Sequence, residues 1–167
     1  MTFQPTIELL IEGELRLRQF TAPEAADLFA LIDSNRDHLA PYIPFVDDCS
    51  NEETVLDHIF FDTEDDELQF GIWDKRTLVG GIELIHIDTG EAEITSYYLG
   101  EEFQGRGYMR KTVNRVIDYV FRERGCTRVM AFVDEKNTRS VNVLGGSGFV
   151  HDTVVDGLMK YVKHKEQ

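Results

Sequence analysis

The sequence is poor in cysteine, in positive charge and in long apolar runs, and each shortage excludes something. Among 167 residues the only cysteines are Cys49 and Cys126. They lie far apart, without neighbours at metal or redox spacing, which argues against a disulfide framework. No stretch approaches the roughly 18 consecutive apolar residues of a membrane span. The opening MTFQPTIELL lacks the basic and long apolar regions of a signal peptide. A cytoplasmic location without a membrane partner is the expectation. Lys and Arg number 17 against 31 Asp and Glu, a formal charge of −14, which disfavours nucleic acid as a partner. There is no linker and no internal repeat. What the chain does have is 42% apolar and 11% aromatic residues. That content fills one core and excludes disorder, so a single domain over residues 1–167 is expected.

Charge is unevenly spread. From Asp37 to Asp74 there are twelve acids and no Lys or Arg, whereas Gly105 to Arg139 carries nine basic residues and four acids. Any one charge reads as part of a solvated helix face. The contrast between the two segments fits a small polyanion bound at the basic one and a cationic partner drawn to the rest.

Periodicity gives the order of elements. Leu15, Leu17 and Gln19 alternate with Arg16 and Arg18 as a first strand. Thr21-Ala-Pro-Glu24 reads as a capping box opening a helix that buries Leu28, Phe29 and Ile32. His38-Leu-Ala-Pro-Tyr-Ile-Pro-Phe45 reads as an irregular, partly buried loop. Ser50-Asn-Glu-Glu53 reads as a second capping box before Val55, Leu56, Ile59 and Phe60. Strands are expected at 67–73, 77–87 and 92–99, joined by hairpin turns at Asp74-Lys-Arg76 and Asp88-Thr-Gly90. Val113, Val116, Ile117, Val120 and Phe121 mark a helix over 109–124, ended by Gly125. A strand at 128–133, a short helix at 138–144 and strands at 149–155 and 158–164 complete the chain. The expected fold is α/β (α+β): a mixed, mostly antiparallel central sheet of six to seven strands with helices on both faces.

The strongest local signal is Phe103-Gln-Gly-Arg-Gly-Tyr-Met-Arg-Lys111, between a strand and the best helix. Its glycines permit positive φ and can turn several N–H groups toward an anion. The helix N-terminus adds partial positive charge, and Arg106, Arg110 and Lys111 add whole charges. This is chemistry for a pyrophosphate, although a plain glycine turn before a helix would use the same glycines. The dinucleotide fingerprint G-x-G-x-x-G fails because Arg110 occupies its third glycine. The nucleoside-triphosphate loop fails because Arg110 again stands where the glycine before Lys111-Thr112 is needed; that reading would predict magnesium-dependent ATP binding.

A third template fits. Glu102-Phe-Gln-Gly105-Arg-Gly107 with the following helix, Asn137-Thr-Arg-Ser140, Gly148-Phe149, Leu78-Val-Gly-Gly-Ile82, Ala92-Glu-Ile94 and Tyr97-Tyr98-Leu99 together resemble the GNAT superfamily of acetyl-CoA-dependent N-acetyltransferases. The 38–45 segment is similar to the aromatic-proline loop of its Rim-type branch, which acetylates ribosomal-protein amino termini. The resemblance covers roughly residues 14–164. Three departures stand out: Glu102 in place of Gln or Arg, Leu144 where many relatives have a tyrosine that protonates the leaving thiolate, and Gly145-Gly146 at the end of a short helix, where poor helix formers imply a looser lobe.

The resemblance implies direct attack by an amine on the acetyl-CoA thioester in a ternary complex, with acetyl-CoA as co-substrate and no metal. It implies coenzyme contacts from Gln104, Gly105, Arg106, Gly107, Tyr108, Met109, Arg110, Asn137 and Ser140, and from the backbone around Tyr97, Tyr98 and Leu99. An ammonium must lose a proton before attack, so a base is required. Glu93, flanked by Ala92 and Ile94, is the first candidate and Glu83 the second. Either could instead be a strand carboxylate on a wet face. His86 is a poorer candidate. Ser140 is the candidate acid or sulfur contact; the plain structural alternatives are a turn cap for Ser140 and a helix cap for Asn137. One of Tyr97 and Tyr98 is expected to be an ordinary core aromatic. The acceptor is read as a protein amino terminus, with a polyamine or aminoglycoside as the alternative and a non-catalytic acyl-CoA-binding module as the reading from another class. Relatives of this kind are often homodimers.

Overall fold

The computed structural model describes residues 6–60 and 65–167. Residues 61–64, inside the acidic stretch, lie outside the described residues. One eight-stranded sheet runs in the order β1-β2-β3-β4-β5-β6-β8-β7. Its strands are β1 (Glu8–Glu12), β2 (Leu15–Gln19), β3 (Leu68–Asp74), β4 (Thr77–Ile85), β5 (Glu91–Leu99), β6 (Arg128–Val133), β7 (Val150–Val155) and β8 (Leu158–His164). Every pairing is antiparallel except β5 with β6. The sheet thus has one strand more than the upper end of the expected six to seven. The additional strand is β1, whose Glu-Leu-Leu-Ile-Glu run does not alternate: Leu9 is buried while Leu10 is exposed.

The helices are α1 (Ala25–Ser34), α2 (Arg36–Leu39), α3 (Glu52–Phe60), α4 (Tyr108–Arg122) and α5 (Thr138–Gly146). The 38–45 segment is more regular than a loop, entering from α2 and leaving through a 3-10 turn at Pro44–Asp47. The second capping box is displaced by one residue. Asn51 Oδ1 accepts from the Thr54 amide, and Thr54 Oγ1 accepts from the amides of Ser50 and Asn51. The first box forms as expected, with Glu24 accepting from both the amide and the hydroxyl of Thr21.

Two apolar clusters sandwich the sheet. Leu15, Leu17, Ile82, Leu84, Ala92 and Ile94 pack with α4 and with Leu144 of α5 on one face. The α4 stripe of Val113, Val116, Ile117 and Val120 is fully or nearly fully buried, and each such side chain contributes about 1.5–3 kcal/mol through burial. On the other face Phe20, Leu28, Ile32, Val55, Ile59, Trp73 and Tyr98 pack with α1, α2 and α3. The Gly80-Gly81 pair in β4 has a packing cause. A Cβ at Gly80 would overlap the Tyr98 carbonyl oxygen, and one at Gly81 would stand 2.5 Å from Cζ of the Tyr98 ring.

Two irregularities matter for function. In the β4–β5 pair Glu83 faces Ser96 while Leu84 faces Ile94, so Thr95 is an extra residue on β5. The β5–β6 ladder runs only from Glu91↔Arg128 to Ile94↔Ala131, although β6 continues to Val133 beside β8. Beyond Ile94 the two parallel strands part. Among the described residues no helix is long and apolar enough to cross a membrane.

Candidate functional site

The segment leading into α4 sits at the end where β5 leaves β6. Gly105 and Gly107 both have φ of 78°, and an added Cβ at either would meet nothing within 4 Å. Gly107 precedes α4 with no side chain capping it, and the first turn contains no acid. The first backbone hydrogen bond into this turn runs from Lys111 N–H to the Gly107 carbonyl at 3.3 Å. None of the amides from Gly105 to Arg110 meets a protein acceptor among the described residues. The result is a concave row of N–H donors at a helix N-terminus, open on the side that two side chains would otherwise cover.

The side chains around this row are arranged less uniformly than the sequence implied. The Arg110 guanidinium lies against Gly146, where a Cβ would stand 2.5 Å from its Cζ. Gly146 at the end of α5 therefore makes room for a cation beside the loop, a packing role the sequence did not show, while an added Cβ at Gly145 would meet nothing within 4 Å. Lys111 points elsewhere, paired with Glu12 of β1. Arg106 lies over the rings of Phe103 and Tyr108, and Tyr108 donates to Asp74 at 2.7 Å, so Tyr108 offers only its amide. Met109 is buried against the core. The Gln104 side-chain nitrogen contacts the His38 ring, and Asn35 Oδ1 accepts from the Glu101 backbone amide at 2.9 Å, which ties the segment to α2 and the junction before it. Asn137 caps α5, accepting from the Ser140 amide at 3.3 Å, the plain structural role allowed for it.

The opening between β5 and β6 is flanked differently on the two faces. On the α4 side, Tyr97 reaches α5, its hydroxyl donating to the Ser140 carbonyl at 3.1 Å and lying against Ser140 Oγ. Burial pushes the Tyr97 phenol up to about 12, with the Ser140 hydrogen bond opposing. Leu144 is fully buried in the core. On the other face Tyr98 is a core aromatic, edge-on to Phe45 at 5.6 Å, its phenol raised by burial and by the nearby Glu83.

Glu83 and Glu93 share the face covered by α1–α3, because Ile82, Leu84, Ala92 and Ile94 all turn to the α4 side. Glu83 is paired with His58 of α3 at 2.8 Å, and the His58 ring stacks on Phe45 at 4.1 Å. Glu93 is half-buried, its carboxyl raised above the ordinary range by desolvation, with His86 opposing. His86 itself is an exposed turn residue with φ of 59° and lies 3.6 Å from Asp66. Sequence reasoning missed His58. It sits among ordinary helix-face residues, and its partner is 25 positions away. No cluster of three or more metal-ligating side chains occurs among the described residues.

Residues 14–150 match the acetyltransferase (GNAT) domain. The chain belongs to the GNAT acetyltransferase family. It is 35% identical over 91 residues to the probable N-acetyltransferase YjcK of Bacillus subtilis, a match spanning 52% of this chain and 50% of that one. The chain thus spans about half the length of that relative. It is 26% identical to the spermidine N(1)-acetyltransferase of Vibrio cholerae, over 91% of this chain and 82% of that one. In structure it superposes on RimL, a ribosomal L7/L12 alpha-N-protein acetyltransferase in complex with coenzyme A. That TM-score is 0.85 at 17% identity, over 95% of this GNAT chain and 98% of the other.

Proposed function

We propose that this GNAT protein transfers the acetyl group of acetyl-CoA to a primary amine, a protein or peptide N-terminal amine, by direct attack in a ternary complex. The observation that carries the reading is the run of unengaged amides from Gly105 to Arg110 beside the gap between β5 and β6. Oxyanions of a diphosphate supply the acceptors those donors lack, and Arg110, held over Gly146, supplies the opposing charge. The main chain of β5 from Thr95 to Leu99, freed from β6, offers N–H and C=O groups to the amides of a pantetheine arm.

Acetyl-CoA supplies an acyl group activated as a thioester. The chain's own groups divide the remaining work between the two faces. Glu83 or Glu93, on the α1–α3 face, accepts the proton that the ammonium must lose. Glu83 is held in place by His58; burial raises the Glu93 carboxyl above its ordinary value. As the N–C bond forms and the C–S bond breaks, the second proton of the attacking amine is relayed through the Ser140 hydroxyl to the departing sulfur, which leaves as the thiol while the serine stays neutral.

The acidic stretch around α3 would recruit a cationic acceptor, which keeps a small polyamine as the second reading; the likeness to a spermidine acetyltransferase favours it equally. Thiol release from acetyl-CoA, measured over peptides, polyamines and aminoglycosides, decides. Turnover with peptides of free amino terminus, abolished by blocking that amine, is the expected result. Coenzyme binding without turnover on any amine would favour a non-catalytic acyl-CoA-binding module.

A further inference from the structure

A second cluster of donors lies away from the β5–β6 opening. On the α1 side of the sheet edge, Arg16 and Arg18 of β2, Trp73 of β3 and the turn residues Lys75 and Arg76 line a cavity of about 430 Å³, with Asp27 of α1 its one acid. Four cations around one hollow are unexpected in a chain of net charge −14. Carboxylates do reach two of them: Arg16 meets Glu8 at 3.0 Å and Glu14 at 3.9 Å, and Arg18 meets Glu24 at 2.7 Å. Those contacts use the terminal guanidinium nitrogens. Lys75 and Arg76 meet no carboxylate within ion-pair distance among the described residues.

The decisive feature is the kind of atom left over. Arg16 Nε, Arg18 Nε and Trp73 Nε1 are all buried N–H groups without an acceptor among the described residues. Buried donors of this kind ordinarily have a partner, and an ion or ordered water is the usual explanation when the protein supplies none. Here all three belong to residues lining the same cavity, which also has two uncompensated cations at its rim. The Arg18 guanidinium is fixed between the Trp73 ring, 4.5 Å from its Cζ, and the Glu24 carboxylate. Lys75 has φ of 56°, a left-handed conformation that β-hairpin turns ordinarily fill with Gly or Asn, and it places two adjacent cations on the turn.

We propose that this hollow is a second anion-binding site, for a small multiply charged oxyanion of the phosphate class, separate from the coenzyme site. Strands β3 and β4 lie between β2 and β5, which puts it roughly 15 Å from the opening at ordinary strand spacing. A phosphate-class dianion brings several acceptor oxygens to the Lys75 ammonium and to the Arg76 guanidinium, the two cations of the hollow that meet no carboxylate among the described residues.

The chain has one tryptophan, and it lines the cavity. Inorganic pyrophosphate is therefore titrated into the full chain already saturated with coenzyme A, and tryptophan emission is followed. The expected result is a saturable change that sodium chloride at matched ionic strength does not produce. Lys75→Glu/Arg76→Glu should weaken it roughly tenfold or more, since charge-assisted contacts are lost. Arg76→Gln, a milder change at the exposed turn, should weaken it less while coenzyme binding is unaltered in both variants. A response that does not saturate, that chloride reproduces, that survives the double substitution, or that coenzyme A competes away would overturn the proposal. Because the readout comes from Trp73, a failure of acetyl transfer elsewhere leaves this result interpretable.

Discussion

Tyr97 of β5 holds Ser140 of α5 across the opening between β5 and β6, its hydroxyl touching both the side-chain and the carbonyl oxygen of the serine. The neighbouring position that could have carried a proton donor is Leu144, fully buried. If Ser140 serves the departing sulfur, Tyr97 orients that hydroxyl and, being protonated up to about 12, never withdraws its own proton at working pH. Ser140→Ala should lower kcat by about 100-fold. Tyr97→Phe should lower it less, and the double variant should lose no more than Ser140→Ala alone, because the two act as one unit. Initial rates at saturating acetyl-CoA measure this; strictly additive losses would separate the two residues.

The Glu93 carboxyl has a sign-specific consequence for stability. Burial raises it above its ordinary 4.5, so the folded chain holds this proton more tightly than the unfolded chain. Its contribution to stability is fully present below that ordinary value and is lost as pH rises through the raised one. Glu93→Gln should therefore melt higher than the parent at neutral pH, with the two curves converging in acid. A difference that does not change with pH would contradict the desolvation account. Activity separates the carboxylates: whichever of Glu83→Gln and Glu93→Gln lowers kcat by about 100-fold or more, and flattens the acid limb of the rate profile, identifies the base.

Gly146→Ala should separate stability from coenzyme binding. Alanine in a helix is worth up to about 1 kcal/mol over glycine, so the melting point should hold or rise. The new methyl displaces the Arg110 guanidinium from its seat, so affinity for coenzyme A should fall. Arg110→Ala should show the same loss, and combining the two should add little. Calorimetric titration of each variant is the check.

In β4, Gly81→Ala would press on the fully buried Tyr98 ring and should cost about 1–3 kcal/mol. Gly80→Ala meets main chain, which cannot rotate away, and should cost about 3 kcal/mol or more. Urea unfolding of the two variants gives the order.

Much of this was legible in the chain itself because it is local. The α4 stripe, the Thr21–Glu24 box and the glycines at 105 and 107 depend on neighbours a few positions away. Strand β1 was not legible, since Leu9, Leu10 and Ile11 run together and only pairing with β2 decides which one is buried. The cap of α3 fell one residue later because Asn51 and Thr54 exchange hydrogen bonds that Ser50 and Glu53 could have made equally well on spacing alone. His58 with Glu83, Arg110 with Gly146 and Tyr97 with Ser140 are contacts between distant segments. No periodicity announces them; the fold has to bring them together.

Amide chemical-shift mapping during titration with coenzyme A reaches the central claim most directly. The account predicts that the largest, saturating shifts fall on the amides of Gly105 to Arg110 and on those of Thr95 to Leu99. Shifts confined to other parts of the chain, with the amides ahead of α4 unmoved, would contradict it.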